Sequence, residues 1–156
     1  MLDEDVRLIL RERRWLFRGT NDQLFKPRNG IYVGAYNRNG VVTSTSLSVL
    51  YAMIYATNYS LVRYHGAHPL LLAIDARPYI NHIEKGLEWK PFLIDEDIVT
   101  KDEYEIRTPI RTRHVHRIET AGELRVYTGD IPEKAFKKLM RKFDELTSSQ
   151  QDRSAG

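Results

Sequence analysis

The run Leu70-Leu71-Leu72-Ala73-Ile74, bounded by Pro69 and Asp75, is the feature that most constrains how this chain can fold. A short, continuous apolar run predicts a buried strand. Helical patterns occupy residues 3–14, residues 46–64 and the stretch that begins at Pro132. Three further strands are predicted after residue 102. The chain is therefore expected to form one α+β domain with a strand-rich C-terminal half.

Capping and turn residues predict where these elements begin and end. Ser46 is expected to cap the second helix, which then runs to about Tyr64. Residues 20–40 and 76–101 are expected to be mostly loop, with a short strand at Ile31–Val33 in the first and one helical turn in the second. The later strands are predicted at Glu103–Thr108, Arg113–Glu119 and Glu123–Tyr127.

The last helix is expected to bury an apolar stripe, and the residues after it are polar. The stripe consists of side chains at helical spacing: Phe136, Leu139, Met140, Phe143 and Leu146. We therefore predict a single domain over residues 1–146 and a disordered tail over residues 147–156.

Composition excludes several classes of site. The 156 residues include no cysteine, so disulfides, thiolate metal sites and a cysteine nucleophile are excluded. The N-terminus is acidic, unlike a secretory leader. No segment approaches the ~18 apolar residues that a membrane span needs. We expect no membrane association and a cytoplasmic location.

Glu103 and Glu105 carry the most suggestive chemistry. One residue separates them in a predicted strand, so their carboxylates point to the same face. Two like charges this close are costly unless the site uses them, for example to stabilise a developing cation. A solvated strand face is the alternative interpretation of this pattern.

Two upstream segments offer further ligand groups. Arg18 follows an apolar segment, and a guanidinium fork matches phosphate oxygens; Gly19 beside it would let the backbone approach a ligand closely. Ser44-Thr45-Ser46 supplies a hydroxyl that can fix a catalytic carboxylate. A surface arginine and a strand end with a helix cap are the simpler interpretations.

These three motifs, in the order aromatic-Arg-Gly, Ser-Thr-Ser and Glu-x-Glu, resemble those of mono-ADP-ribosyltransferases. The similar group is the Arg-Ser-Glu clade, which includes the catalytic domains of clostridial binary toxins. The resemblance covers residues 14–128. It implies an α+β fold with an ADP-ribosyltransferase-like split β-sheet core and flanking helices.

The resemblance also implies how NAD, as the substrate, is bound. Arg18 is similar to the arginine that holds the phosphates of NAD, with Gly19 near the carboxamide. Ser44 is similar to the serine that orients the catalytic glutamate, and Thr45 and Ser46 shape the site.

The catalytic roles follow from the same resemblance. Glu105 is similar to the catalytic glutamate, which hydrogen-bonds the 2′-hydroxyl of the nicotinamide ribose. Glu103 is similar to the acid that steers an arginine guanidinium towards that ribose. The implied activity is transfer of ADP-ribose from NAD to a side chain of a target protein, with arginine favoured. The resemblance leaves open which aromatic ring stacks on nicotinamide: Tyr51, Tyr55, Tyr59, Tyr79, Trp89 or Phe92.

Other functions stay open at this point. An NAD glycohydrolase would use water as the acceptor. A non-catalytic domain that binds nucleic acid would use the basic run Arg11–Arg14 with Arg107, Arg111, Arg113 and Arg117. An antitoxin partner is also compatible with the sequence. His114 and His116 have the spacing of paired ligands on a strand, but no third ligand is apparent, so no metal site is predicted.

Overall fold

In the computed structural model, the described residues are 2–38, 40–59, 63–88, 92–94, 97–99 and 102–155. The helices are α1 (Glu4–Arg13), α2 (Val49–Ile54), α3 (Ala121–Thr128) and α4 (Glu133–Ala155). A π-helical turn at Tyr55–Tyr59 continues α2, and 3-10 turns occupy Arg77–His82 and Thr112–His114.

All strand pairs among the described residues are antiparallel. In chain order the strands are β1 (Trp15–Asn21), β2 (Ile31–Tyr32), β3 (Ala35–Asn37), β4 (Gly40–Ser46), β5 (Pro69–Asp75), β6 (Ile83–Glu88), β7 (Phe92–Ile94), β8 (Asp97–Val99), β9 (Asp102–Ile106), β10 (Ile110–Arg111) and β11 (Val115–Arg117). The main sheet has the order β11-β5-β1-β4-β9-β6, and β3 pairs with the first part of β4. β2 pairs with β10, and β7 pairs with β8.

The apolar run is confirmed as a buried strand. β5 pairs with β1 along its whole length and with β11 on its other edge. Every residue of β5 is buried, because helices and turns cover both faces of the sheet here. Leu71 and Ala73 point to one core, and Ile74 points to the other.

Two apolar cores lie on opposite faces of the sheet. On one face, α2, α3 and α4 contribute buried side chains such as Met53, Leu124 and Phe143. On the other face, α1 and the 3-10 turn at Arg77–His82 contribute Leu10 and Tyr79. The α+β class is therefore confirmed, with an antiparallel sheet between flanking helices.

β1 and β4 part from each other shortly after they meet. Within the described residues they are in register at one position, Phe17 opposite Ser46. From there β1 continues along β5, whereas β4 continues along β9 from Ser46↔Glu103 to Thr43↔Ile106. The divergence leaves a gap in the middle of the main sheet.

The first and last helices are confirmed. α1 lies within the predicted residues 3–14, and α4 buries Phe136, Phe143 and Leu146 as the apolar stripe predicted. The polar tail from Thr147, which we expected to be disordered, instead continues α4 to Ala155.

The second helix begins later than predicted. Ser48, not Ser46, is its N-cap: the Ser48 hydroxyl accepts a hydrogen bond of 3.1 Å from the Tyr51 amide. Ser46 is the last residue of β4, and the Ser46 Oγ accepts a hydrogen bond of 3.0 Å from the Ser48 amide. Both hydroxyls thus organise the strand-to-helix turn.

The strand predicted at Glu123–Tyr127 is wrong, because this segment is α3. The Thr120 hydroxyl accepts from the Glu123 amide at 3.1 Å, and Glu123 Oε1 accepts from the Glu119 amide at 3.3 Å. This arrangement resembles a capping box, except that the glutamate accepts from the amide of the residue before the N-cap. The apolar alternation of Leu124 and Val126 imitated a strand, but Leu124 is fully buried and Val126 is 73% exposed.

Residues 76–101 were predicted as a long loop with one helical turn. The turn is present as the 3-10 turn at Arg77–His82, but the loop prediction is wrong for Ile83–Glu88, which form β6. β6 follows the 3-10 turn and pairs with β9 at the edge of the main sheet. The strand predicted at Arg113–Glu119 is shorter, because Thr112–His114 is a 3-10 turn and only Val115–Arg117 pairs with β5.

Candidate active site

A cavity of about 260 Å³ opens where β1 and β4 part. Its lining comes from both strands, from α2 and from β9. Three of the sequence motifs contribute to it: Phe17-Arg18-Gly19, Ser44-Thr45-Ser46 and Glu103. Ala35, Val42, Ala52 and two tyrosines complete the wall.

Arg18 spans the gap between the two strands. Its Nε donates to the Tyr32 hydroxyl at 2.8 Å, and its Nη1 donates to the Ser44 carbonyl at 2.9 Å. A Cβ placed on Gly34 would lie 3.1 Å from Arg18 Nη2, so a residue without a side chain lets the guanidinium occupy this position. These contacts hold the guanidinium in the wall of the cavity.

Gly19 has a packing reason to be glycine. A Cβ at this position would lie 1.8 Å from the Ala52 carbonyl oxygen, so the absence of a side chain lets α2 approach β1. From the sequence, we expected Gly19 to let a ligand approach the backbone closely. In the structure, the element that approaches Gly19 closely is α2. The residue still lines the cavity.

The pairing of β4 with β9 brings the hydroxyl motif beside the two acids. Ser44 lies opposite Glu105, and Ser46 lies opposite Glu103. Directly opposed residues in an antiparallel pair share a face, so Ser44 and Glu105 point to the same side of the sheet. The buried Thr45 hydroxyl donates to the Tyr104 carbonyl at 2.6 Å, which fixes this register.

Glu103 lines the cavity and lies over Gly86 of β6. A Cβ on Gly86 would meet both Glu103 Cγ and Glu103 Oε2 at 2.8 Å. The strand is irregular here, because the β6–β9 register shifts between Lys85 and Glu88. Because Gly86 has no side chain, the Glu103 side chain can lie across β6 at this position.

Glu105 is held by an arginine. Arg107 Nη2 and Nε donate to Glu105 Oε2 at 2.8 and 3.2 Å. Arg107 Nη1 also lies 3.1 Å from Glu84 Oε2, and Glu84 is the residue opposite Glu105 on β6. Both hydrogen bonds to Glu105 use Oε2, so its other oxygen, Oε1, takes part in neither.

The aromatic candidates are now separated. Tyr51 and Tyr55 line the cavity from α2 and the π-helical turn, with ring centroids 6.5 Å apart. Tyr79 lies elsewhere, buried in the core beneath the opposite face and bonded to His114 Nδ1 at 2.7 Å. The side chains of Tyr59 and Phe92, and all of Trp89, lie outside the described residues.

Sequence reasoning missed five residues around the site: Tyr32, Gly34, Glu84, Gly86 and Arg107. Glu84 and Gly86 fall in the segment that we predicted as a loop, so no strand register connected them with Glu105 and Glu103. Gly34 ends a Gly-x-x-x-Gly stretch with Gly30, a signal of close backbone approach. Arg107 follows Glu105 at the same-face spacing of a strand, which is a detectable signal of an ion pair.

The two histidines have protein partners. His114 bonds to Tyr79, and His116 contacts Trp15 and Tyr127 with ring centroids 5.4 and 6.0 Å away. Among the described residues, no group of three His, Asp or Glu side chains is arranged to hold a metal ion. Burial, and next Arg113, lower the pKa of His114 below its ordinary value.

The arginines of the predicted nucleic-acid patch are partly neutralised. Arg14 pairs with Asp75 at 3.0 Å, and Arg117 pairs with Glu119 at 3.2 Å. Arg107 is shared by Glu84 and Glu105. Ion pairs of this kind reduce the positive potential available to a phosphate backbone.

None of the described helices is both long enough and apolar enough to span a membrane.

Comparisons of the chain with protein-family models, with curated proteins and with solved structures found no match. A functional assignment therefore depends on the chemistry of the cavity and of the carboxylates beside it.

Proposed function

We propose that this protein is an NAD-dependent mono-ADP-ribosyltransferase that transfers ADP-ribose from NAD to a protein side chain, most favourably arginine. One observation carries the proposal: three motifs far apart in sequence, centred on Arg18, Ser44 and Glu103, line one cavity at the gap in the sheet. The proposal includes the fold, as an ADP-ribosyltransferase-like split sheet whose gap is the substrate site.

The cavity suits part of a dinucleotide. Arg18 places a guanidinium in its wall, and a guanidinium binds phosphate oxygens through paired hydrogen bonds. Tyr51 and Tyr55 offer rings against which the nicotinamide can stack. The volume of about 260 Å³ lies just below the roughly 300–1,000 Å³ of typical ligand sites, so the rest of NAD would extend beyond the cavity.

The carboxylate of Glu105 suits the chemical step. The bond between nicotinamide and C1′ of the ribose breaks, and its electron pair leaves with nicotinamide. Positive charge then develops on the ribose as an oxocarbenium ion, which a nearby carboxylate stabilises more than it stabilises the ground state. Oε1 of Glu105 would accept a hydrogen bond from the ribose 2′-hydroxyl, while Arg107 donates to Oε2.

Glu103 gives the acceptor its preferred chemistry. A guanidinium approaching the ribose would be bound by the Glu103 carboxylate, which is half-buried at the edge of the cavity. A guanidino nitrogen then forms the new bond to C1′ and passes a proton to the Glu103 carboxylate, which releases it to solvent. With water as the acceptor, the same site would be an NAD glycohydrolase.

Non-catalytic binding of nucleic acid is the competing proposal, and the ion pairs of Arg14, Arg107 and Arg117 weigh against it. Thermal unfolding separates the two classes, because a ligand that binds the native state raises the midpoint. NAD should raise it if the proposal is right. A salt-sensitive rise with RNA or DNA, and none with NAD, would favour nucleic-acid binding.

The decisive experiment uses labelled NAD and a cell lysate. Wild-type protein should label macromolecules and release nicotinamide, whereas Glu105→Gln should do neither and still bind NAD. Glu119→Gln is the matched control, because Glu119 is also paired with an arginine but lies outside the cavity. Nicotinamide release without label would indicate a glycohydrolase. Neither product from wild-type protein would refute the proposed function.

A further inference from the structure

Three charged side chains form a cluster at the edge of the sheet beside the cavity. Glu84 on β6 and Glu105 on β9 are cross-strand neighbours, and Arg107 follows the end of β9. All three nitrogens of the Arg107 guanidinium contact these two acids: Nε and Nη2 contact Glu105, and Nη1 contacts Glu84. We call Glu84, Arg107 and Glu105 the carboxylate clamp.

Electrostatics explains why an arginine lies between the two acids of the carboxylate clamp. Two carboxylates directly opposite each other on neighbouring strands repel, and a shared cation removes the repulsion. The hydrogen bond to Glu105 raises the pKa of Arg107, and the charges of Glu84 and Glu105 raise it further. The two acids thus hold the Arg107 guanidinium in its charged form between them.

The backbone of Arg107 is also fixed. Its amide donates to the His82 carbonyl at 2.8 Å, which ties the end of β9 to the residue just before β6. The neighbouring Ile106 is fully buried in the core. The guanidinium is therefore delivered to Glu105 from an anchored position, although the side chain itself is 36% exposed.

We propose that Arg107, itself held by Glu84, is a positioning residue that fixes the Glu105 carboxylate with Oε1 available to the reacting ribose. A partly exposed glutamate side chain, with three rotatable torsions, would otherwise sample several orientations. The clamp holds one oxygen and leaves the other for the substrate. Glu84 acts one step further out, by orienting the arginine.

This inference rests on the proposed function, and its first test compares variants of the clamp in the NAD assay. Arg107→Ala should lower turnover by up to about 100-fold with little change in KM for NAD, because the loss is one of carboxylate position. Glu84→Gln should show a smaller loss of the same kind. Arg117→Ala, which removes another strand arginine paired with an acid, is the control and should keep full turnover.

Chemical rescue makes the test specific. Arg107→Ala leaves a space beside two carboxylates, so millimolar methylguanidinium should restore part of the lost turnover, and sodium chloride at equal ionic strength should not. The rescue should disappear in Glu84→Gln/Arg107→Ala, which has one acid fewer to hold the cation. Turnover of Arg107→Ala equal to that of wild type, or a loss that methylguanidinium does not restore, would overturn the positioning role.

A readout without catalysis separates the two proposals. In NMR spectra of wild-type protein, the Nε–H of Arg107 should exchange slowly with water, and Glu105→Gln should accelerate that exchange while Glu119→Gln should not. Fast exchange in wild-type protein would overturn the clamp even if the enzyme is active. Slow exchange in a protein that neither consumes nor binds NAD would leave the clamp standing as a structure and refute the proposed function.

Discussion

The Arg18 guanidinium donates a hydrogen bond of 2.9 Å to the backbone carbonyl of Ser44, across the gap where β1 and β4 have parted. A side chain thus takes the place of the ladder hydrogen bonds that would otherwise close the sheet. The same guanidinium forms part of the cavity wall, so the residue that bridges the gap also lines the candidate site.

Arg18→Lys should weaken NAD binding while preserving charge. Lysine cannot reach both the Tyr32 hydroxyl and the Ser44 carbonyl and also present a fork to phosphate. We expect KM for NAD to rise about tenfold, equivalent to ~1.4 kcal/mol, measured by steady-state release of nicotinamide. Arg117→Lys is the control, and an unchanged KM in Arg18→Lys would remove Arg18 from the NAD site.

Glu103→Gln should separate transfer from hydrolysis. The neutral amide cannot form an ion pair with an arginine acceptor, whereas Glu105 remains to assist the departure of nicotinamide. Transfer to an arginine-containing protein should be lost, and nicotinamide release with water as the acceptor should persist. If both activities survived unchanged, the arginine preference would be wrong.

Gly19→Ala should destabilise the protein through packing. Its Cβ would lie 1.8 Å from the Ala52 carbonyl oxygen and 2.9 Å from the Ala56 amide nitrogen, so α2 would have to move. We expect the free energy of unfolding in urea to fall by about 2 kcal/mol or more. Gly122→Ala is the matched control, because its Cβ would meet nothing closer than 3.9 Å in a helix that favours alanine. Equal stability of the two variants would contradict the packing explanation.

Thr120→Ala should weaken α3. The hydroxyl accepts from the Glu123 amide, and alanine would leave that helix N-terminus without its cap. A loss of about 1 kcal/mol in the free energy of unfolding is expected from chemical denaturation. Thr120→Ser keeps the hydroxyl and should retain most of the stability. A loss as large in the serine variant would show that the methyl group, not the cap, matters.

His114 should make stability depend on pH. Its pKa lies below the ordinary 6.5, first because of burial and second because of Arg113, so the unfolded chain binds the proton more tightly. Nδ1 of the ring lies 2.7 Å from the Tyr79 hydroxyl, whose oxygen accepts a hydrogen bond from the Arg111 amide. The stability that this neutral ring contributes is therefore present above pH 6.5 and is lost as the pH falls through the lowered pKa.

His114→Gln tests this assignment, because glutamine can accept a hydrogen bond but does not titrate near neutral pH. Urea midpoints of the two proteins, measured from about pH 8 down to pH 5, should converge as the pH falls. Parallel curves would place the pH dependence on other histidines.

Strong periodicity explains the parts of the fold that the sequence predicted correctly. The continuous apolar run of β5 and the apolar stripe of α4 each have one structural solution, because both need a large buried surface. The strand prediction for the α3 segment was wrong because it relied on the alternation of Leu124 and Val126. The capping interactions of Thr120 and Glu123 favour a helix there instead. The β6 segment was wrongly predicted as a loop because its apolar pattern is weak and it forms a strand by pairing with β9.

The motifs of the candidate site were visible in the sequence, because Arg18, Ser44, Glu103 and Glu105 are the residue types that phosphate binding and carboxylate chemistry require. Their shared location was an inference from resemblance, and strand pairing is what brings them together. Residues whose role depends on a cross-strand partner, such as Glu84 and Gly86, had no signal in the linear chain.

Burial and side-chain chemistry depend on single residues and local spacing, so the amino-acid sequence alone indicates which segments must be buried and which functional groups the protein carries. The parting of β1 and β4, the bridge that Arg18 makes across the gap and the contact of Arg107 with both Glu105 and Glu84 arise from tertiary structure. These contacts join residues from different strands, and their geometry depends on the sheet register, which no local pattern in the chain specifies.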